Sequence, residues 1–238
     1  MKNFKIEKSI KIVPGEYFSK NLSNNFDDHI KKSIPFYNDF LKKISNLSNF
    51  FVRNNSYFYD LGCSTGNLIS QIVKKNQNKK NVKFIGIDNS KPMIKICKKN
   101  LTKFKNTKIY YGDILKYKYK NADLITSSLT THFIKPNLRQ KLFQNIFNNL
   151  NDKGAFIMLE KVNFSNSIFQ SIVNELYFDF KKEQKLTDSD ILNKSKSLRG
   201  VLDPFDSNEH ITTLKKIGFK KAEVVMKIDF FELILAIR

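Results

Sequence analysis

Short apolar runs alternate with amphipathic stretches along the chain from residue 57 onward. Apolar side chains that recur every three or four residues predict helices, and short apolar runs between turn residues predict buried strands. The predicted strands are 57–61, 82–87, 108–111, 122–126 and 155–159. The predicted helices between them are 65–76, 92–103 and 136–150. Because strand–helix alternation builds parallel sheets with right-handed crossovers, the pattern predicts a doubly wound α/β domain.

The two ends of the chain depart from this alternation. Residues 25–50 have helical periodicity, and Pro35 predicts a break within it. At the other end, strands at 219–228 and 230–237 follow a helix at 207–217. A connection as tight as the one around Asp229 makes these two strands antiparallel. We therefore predict a mostly parallel seven-stranded sheet that finishes in a C-terminal antiparallel hairpin.

A helical insertion interrupts the domain at about 165–200, where two helices are predicted. The first carries Ile168, Ile172 and Leu176 on one stripe. We interpret the insertion as a lid over a binding site. The predicted organisation is then an N-terminal extension with covering helices over 1–50 and a ligand-binding α/β domain over 51–238. No repeat or flexible linker divides the chain.

An acidic, glycine-containing turn, Asp60-Leu-Gly-Cys-Ser-Thr-Gly66, follows the first predicted strand. Gly62 allows a sharp backbone turn, Gly66 allows the next helix to pack closely, and Asp60 can accept a hydrogen bond from a cationic ammonium group. Dinucleotide enzymes use G-x-G-x-x-G at this position, whereas this chain has G-x-x-x-G behind an acid. The turn is therefore predicted to bind a cationic cofactor rather than a pyrophosphate.

Two further acids end the second and third predicted strands. Asp88, followed by Asn89, lies at a distance from the turn suited to binding a ribose diol. Asp113 can accept from an adenine amino group while Ile114 packs on the ring. Either acid alone could equally be a helix cap. Together with Asp60 and the terminal hairpin, they favour an enzyme of the class I methyltransferase type, which binds S-adenosylmethionine.

Several segments resemble one family within that class, the carboxy-S-adenosylmethionine synthases. The resemblance covers about residues 25–237. It rests on the segments 26–37, 59–64, 87–94 and 112–114, on Glu160-Lys161, on 179–181 and on 210–219. It implies that Tyr37, Gly62, Cys63, Ser64, Asp88, Asn89, Asp113 and Ile114 line the cofactor site. It also implies a homodimer, and a reaction of S-adenosylmethionine with prephenate whose product is used to modify a wobble uridine in tRNA.

Two positions depart from the family pattern. The family holds the additional carboxylate with an Asn after the fourth strand and an Arg in the insertion, and our alignment places Ser128 and Ser195 there. Serine lacks the bidentate cationic fork that suits a carboxylate. Arg199, Lys194 or Lys196 could replace it. The first hypothesis is therefore methyl transfer from S-adenosylmethionine to an unknown small-molecule acceptor. The alternatives are carboxy-S-adenosylmethionine synthesis and a non-catalytic binding module of the same fold.

His132, after the fourth predicted strand, is the candidate general base for an acceptor that must lose a proton. A structural role beside Phe133 is the alternative interpretation. Glu160 ends the fifth strand, either in the substrate pocket or as a cap. His29 and His210 are expected at the surface or in packing, and no metal site is predicted.

Composition changes this picture little. The net charge of +20 would suit a polyanion, but only four of the 42 basic residues are arginine. We expect lysines on solvated faces and do not favour direct nucleic-acid binding, although an RNA partner stays open. Two cysteines, no apolar run long enough to span a membrane and no secretion signal indicate a cytoplasmic protein.

Overall fold

The structure, a computed structural model, describes residues 26–238. Two helices, α1 (Phe26–Ser33) and α2 (Tyr37–Phe51), come before the sheet. The predicted break near Pro35 is present, and Phe36 there adopts a left-handed conformation with φ 54°. This turn directs α2 onto the sheet, whereas α1 stays at the edge of the binding cavity described below.

Seven strands form one sheet in the order β3-β2-β1-β4-β5-β7-β6. The strands are β1 (Tyr57–Leu61), β2 (Lys83–Asp88), β3 (Thr107–Tyr111), β4 (Ala122–Ser128), β5 (Leu150–Lys161), β6 (Lys221–Ile228) and β7 (Phe231–Ile237). The other helices are α3 (Asn67–Lys75), α4 (Lys91–Asn100), α5 (Pro136–Asn149), α6 (Ser167–Glu183), α7 (Asp188–Leu198) and α8 (Ser207–Ile217). Strands β1 to β5 are parallel, and β7 runs antiparallel between β5 and β6. The predicted fold class is confirmed.

The predicted start of the fifth strand at residue 155 is wrong. Residues 151–154 already belong to β5, which begins at Leu150. The pairing of β5 with β4 shifts register between Ala122 and Leu124, so the extra residues form a bulge in β5. Asn151 Nδ2 also donates to Asp123 Oδ1 at 2.7 Å. The Asn151 side chain therefore stabilises the bulge by a hydrogen bond to β4.

Helices cover both faces of the sheet and enclose two apolar clusters. One contains Phe40 and Ile44 of α2 with Phe58 of β1, and the other contains Tyr59 of β1 with Phe143 of α5. Adjacent strand residues thus point to opposite faces, as strand geometry requires. Both faces are buried, which explains the nearly continuous apolar strands.

Helices α6 and α7, hereafter the lid, pack less closely against the core than the other helices do. Neither helix contains a buried residue. The Tyr177 hydroxyl of α6 donates to the Ser33 carbonyl of α1 at 2.6 Å, and its ring packs edge-on against Phe230 and Phe231. The lid is therefore attached to the domain through few side chains.

Candidate active site

A cavity of about 850 Å³ opens at the carboxyl ends of the parallel strands. The strand order reverses between β1 and β4, and such a switch point is where open α/β sheets bind ligands. Of the residues predicted to form the site, the following line the cavity: Tyr37, Asp60, Gly62, Cys63, Ser64, Asp88, Asn89, Asp113, Ile114, Ser128, His132 and Arg199. Gly66 is not among the lining residues.

The two glycines of the turn after β1 have different structural roles. Gly62 has φ 74°, and a Cβ there would overlap the Thr130 side chain. Gly66, at φ 88°, precedes α3, and a Cβ there would approach Cys97 Sγ of α4 to 2.8 Å. Gly62 therefore shapes the cavity, whereas Gly66 allows α4 to pack against the turn.

Asp88 ends β2 and stabilises the neighbouring turn after β1 by hydrogen bonds. Its two carboxylate oxygens accept from the backbone N–H groups of Ser64 at 2.9 Å and Ser90 at 2.8 Å. Burial raises the pKa of this carboxyl, and these N–H donors oppose the rise. Asp88 thus caps local backbone, and because each oxygen has a second lone pair it can still accept from two ribose hydroxyls.

Asp60 is almost fully buried at the end of β1. Its register partner on β4 is Thr126, whose hydroxyl donates to Asp60 Oδ1 at 2.9 Å. Burial, with a contribution from Asp88, raises the pKa of Asp60 to about 7. No cation offsets that burial among the described residues. The carboxyl is therefore placed to become ionised when a cationic ligand binds beside it.

Asp113 and Ile114 complete this side of the cavity, beyond β3. Asp113 Oδ1 accepts from the Leu115 N–H at 2.9 Å, so Asp113 is partly a cap. Ile114 is buried. We call Asp60, Asp88 and Asp113 the acidic wall. The structure places all three at one cavity edge, as predicted from the strand ends.

Helix α1 closes the cavity above this wall. Thr65 of the glycine turn donates to Asp27 Oδ1 at 2.6 Å, which ties α1 to the turn. Burial, reinforced by Asp27 and Asp60, raises the pKa of the Tyr37 hydroxyl well above its ordinary value. His29, expected at the surface or in packing, is buried and also lines the cavity.

His132 and Glu160 form a buried pair beside the cavity. His132 Nδ1 lies 2.7 Å from Glu160 Oε2. Glu160 also accepts from the N–H groups of Thr131 at 2.9 Å and His132 at 3.1 Å. Burial opposes ionisation of Glu160, but the charge and hydrogen bond of His132, together with these amides, hold the pKa of the carboxyl below its usual range. Glu160 therefore fixes the loop and the imidazole together.

The opposite side of the cavity, toward β5 and the lid, is basic. Lys161 ends β5, Lys181 lies on α6, Lys194 lies on α7, and Arg199 follows α7; all four line the cavity. Ser128 and Ser195, the two departures from the family pattern, line it as well. No role was predicted for Lys161 or Lys181. Both belong to segments that carried the family resemblance, and this was the signal that could have found them.

Metal and membrane features are not found in the described part of the chain. Residues 26–238 contain no group of three or more His, Cys, Asp or Glu side chains arranged to hold a metal ion. In the same residues, no helix is long and apolar enough to cross a bilayer. Cys63 and Cys97 are free thiols, with their sulfur atoms 4.0 Å apart.

Comparisons with known proteins identify the family and the fold of the chain. A family model described as a methyltransferase domain matches residues 53–216. Among solved structures, a putative S-adenosylmethionine-dependent methyltransferase from Methanococcus maripaludis is 22% identical, with a TM-score of 0.61, and the match covers 92% of this chain and 93% of that one. An O-methyltransferase family protein from Burkholderia thailandensis has a TM-score of 0.70 at 10% identity, covering 93% and 60% of the two chains. The fold and the family match define a class I S-adenosylmethionine-dependent methyltransferase.

Curated relatives narrow the class to one family. The carboxy-S-adenosyl-L-methionine synthase of Staphylococcus epidermidis is 40% identical over 223 residues, which cover 92% of this chain and 95% of that protein. The enzyme of the same name from Sulfurimonas denitrificans is 36% identical, over 93% and 94% of the two chains. The chain belongs to the carboxy-S-adenosyl-L-methionine synthase family. The prediction of a transferase that uses S-adenosylmethionine is confirmed.

The residues of the cavity fit this ligand. S-adenosylmethionine carries an ammonium group, a sulfonium, a ribose diol and an adenine, and the acidic wall offers carboxylates to the polar groups among them. The buried Asp60 carboxyl, whose pKa is raised in the absence of a cation, matches the ammonium. The fit of individual residues is developed as a proposal below.

Proposed function

We propose that this enzyme makes carboxy-S-adenosylmethionine from S-adenosylmethionine and a carboxylate donor, with prephenate as the donor that the family resemblance implies. The observation that supports this most strongly is the polarity of the cavity. Its acidic wall suits the cationic cofactor, whereas the side formed by β5 and the lid presents basic side chains to the same space. A plain methyl acceptor does not require that second, basic side.

The acidic wall supplies the cofactor contacts in this proposal. Asp60 accepts from the ammonium group, Asp88 from the ribose diol and Asp113 from the adenine amino group. The turn residues Gly62, Cys63 and Ser64 form the floor, with Asn89 and Ile114 beside the nucleoside and Tyr37 above. These contacts hold the sulfonium methyl group in a fixed orientation between the acidic and basic sides. Such positioning of the reacting groups is the main contribution of a transferase of this kind to catalysis.

The reaction balances without an added oxidant or metal ion. Prephenate loses one carboxyl group as carbon dioxide and its ring hydroxyl as hydroxide, and the remainder becomes aromatic phenylpyruvate. The carbon dioxide carbon bonds to the sulfonium methyl carbon. The proton displaced from that methyl group joins the hydroxide as water.

His132 is placed to carry this proton. Because Nδ1 is held by Glu160 at 2.7 Å, Nε2 is the ring nitrogen left for the reactants. It would take the methyl proton as a base and return it to the leaving hydroxyl as an acid. On this proposal, His132→Gln lowers kcat by about 100-fold with little change in KM, because general acid–base catalysis typically contributes 10²–10⁴-fold.

A second candidate, methyl transfer to an unidentified acceptor, is favoured by one specific observation. Both positions at which the family holds the extra carboxylate are serine here, and both Ser128 and Ser195 line the cavity. Neutral hydroxyls bind a carboxylate less strongly than an arginine fork does. Carboxyl transfer therefore requires that other basic residues take over that task.

Mass spectrometry distinguishes the two reactions. The purified enzyme is analysed for bound nucleosides and is then incubated with S-adenosylmethionine, with and without prephenate. We expect carboxy-S-adenosylmethionine to form only when prephenate is present. Bound S-adenosylmethionine with no carboxylated product would instead support methyl transfer.

The partners implied by the resemblance are part of the same proposal. We infer that the product serves modification of a wobble uridine in tRNA, and that two copies associate through the outer stripe of α6. Ile168, Ile172 and Leu176 of that stripe are 67%, 51% and 54% exposed, and exposed apolar patches commonly mark interfaces.

The proposed dimer can be tested by light scattering. Ile172→Glu places a charge in the centre of the stripe and should shift the mass from two chains to one. Lys185→Glu introduces the same side chain after the end of the helix and should leave the mass unchanged. An unaltered mass in Ile172→Glu would remove α6 as the contact.

A further inference from the structure

The lid and β5 place two ammonium groups around one aromatic ring inside the cavity. Lys181 Nζ lies 3.7 Å from the Tyr177 ring centroid, and Lys161 Nζ lies 5.4 Å from the same centroid. Lys161 Nζ is also 5.0 Å from the centroid of Phe230. All three residues Lys161, Tyr177 and Lys181 line the cavity that contains the acidic wall.

The ring that joins the two lysines is firmly positioned. The Tyr177 hydroxyl is used by its hydrogen bond to the Ser33 carbonyl, and its ring edge packs on Phe230 and Phe231. Burial raises the pKa of this hydroxyl well above its ordinary range, so Tyr177 stays neutral. The two ammonium groups are thus held by contacts with the ring rather than by an opposite charge.

Neither lysine has an acidic partner in the part of the chain that the structure describes. Burial lowers the pKa of Lys161. Burial and then the neighbouring Lys161 lower the pKa of Lys181 to about 8. Two adjacent cations without a counter-ion are costly where burial removes part of their hydration, and an anion bound between them would offset that cost.

We propose that Lys161 and Lys181 form a carboxylate-binding subsite in the cavity that Ser128 and Ser195 also line, where the two serines offer no charge to a carboxylate. This inference rests on the proposed function and names its substrate-binding residues. The carboxylate can belong to the donor or to the carboxylated product, because the two occupy the same side of the cavity at different stages. Two ammonium groups suit a dicarboxylate such as prephenate especially well.

Direct binding tests the subsite independently of turnover. Titration calorimetry measures prephenate on enzyme saturated with S-adenosylhomocysteine, and separately measures carboxy-S-adenosylmethionine and S-adenosylmethionine on the free enzyme. In Lys161→Met and Lys181→Met, which keep side-chain length and remove the charge, we expect carboxylate affinity to fall at least 10-fold, because a hydrogen bond to a charged group is typically worth this much. S-adenosylmethionine affinity should change less than about twofold.

Matched variants separate charge from structure. Lys182→Met changes the next residue of α6, which is exposed and does not line the cavity, and it should behave as wild type. Lys181→Arg keeps the charge and should restore most of the carboxylate affinity. If the Met variants lose affinity for prephenate alone, the subsite binds the donor. If they lose affinity for carboxy-S-adenosylmethionine alone, it binds the product.

Two outcomes would overturn the assignment. Unchanged carboxylate affinity in both Met variants would exclude the lysine pair as the subsite. An equal loss of affinity for S-adenosylmethionine and for the carboxylates would mean that the lysine pair has a structural role. The proposed function fails separately, if wild-type enzyme binds prephenate through these lysines but forms no carboxy-S-adenosylmethionine by mass spectrometry.

Discussion

The acidic wall and the lid border the same cavity, but they are built in opposite ways. Two acids of the wall, Asp60 and Asp88, are buried at strand ends and held by hydrogen bonds to neighbouring strand and turn. The lid contains no buried residue and contacts the core through partly buried side chains of α6, Val173 and Tyr177. The cofactor side is thus positioned by the core, whereas the side proposed to choose the second substrate can change without rebuilding that core.

Stability should show the largest contrast between these regions. Phe40 of α2 is fully buried against the sheet that carries the wall, so Phe40→Ala should lower the free energy of unfolding by about 3–5 kcal/mol. Leu192 of the lid is 49% exposed, and Leu192→Ala should change the free energy by no more than about 0.5 kcal/mol. Urea unfolding measures both. A large loss in the lid variant would mean that the lid belongs to the cooperative core.

Cofactor affinity should depend strongly on the wall. Asp88→Ala removes both the proposed ribose contacts and the acceptor of the Ser64 and Ser90 amides. We expect S-adenosylmethionine affinity to fall by at least about 100-fold, on the order of 2.7 kcal/mol, since hydrogen bonds to a charged group contribute about 1.5–3 kcal/mol each. Calorimetry measures this loss. Asp152→Ala, at an exposed position of β5, is the control, and unchanged affinity in Asp88→Ala would refute the site assignment.

The pH dependence of binding should report on Asp60. Its pKa is raised to about 7, so the carboxylate that receives the ammonium group becomes populated as pH rises toward that value. Affinity for S-adenosylmethionine should therefore increase by up to about 10-fold per unit between pH 5.5 and 6.5, and less steeply to pH 7.5. Asp60→Asn should flatten the profile. A flat profile in wild type would show that Asp60 is ionised throughout.

The stability of the ligand-free enzyme should change with pH in the opposite direction to its affinity for S-adenosylmethionine. Folded Asp60 keeps its proton to higher pH than the unfolded chain, whose aspartates titrate near pH 3.9. The folded state binds more protons between about pH 4 and 7, so unfolding free energy falls as pH rises through that window. Saturating S-adenosylmethionine should reduce this fall. Thermal unfolding at several pH values, with and without ligand, measures both effects.

The contrast also explains what could be predicted from the sequence. Asp60, Asp88 and Asp113 each end a short apolar run, and parallel strands bring such ends to one edge, so local pattern was sufficient to place them together. The lid offered no such rule. Its apolar stripe of Ile168, Ile172 and Leu176 would ordinarily face inward, but these residues are exposed. Tyr177 and Lys181 of the same helix face the cavity instead. Which helix face turns inward depends on tertiary contacts that periodicity does not contain.

The smallest effect on ligand affinity is expected for an exposed basic residue of the lid region, in contrast to the half-buried lysines. Arg199 lines the cavity but is exposed, so water screens its charge more than that of the half-buried Lys161 and Lys181. Arg199→Ala should weaken binding of prephenate or carboxy-S-adenosylmethionine by about twofold to fivefold and leave S-adenosylmethionine unaffected. Calorimetry with all three ligands measures it. Equal weakening of every ligand would remove Arg199 from the carboxylate side. A loss as large as that of Lys181→Met would mean that the lid closes over Arg199 when ligand binds, and that the guanidinium then replaces the arginine of the family.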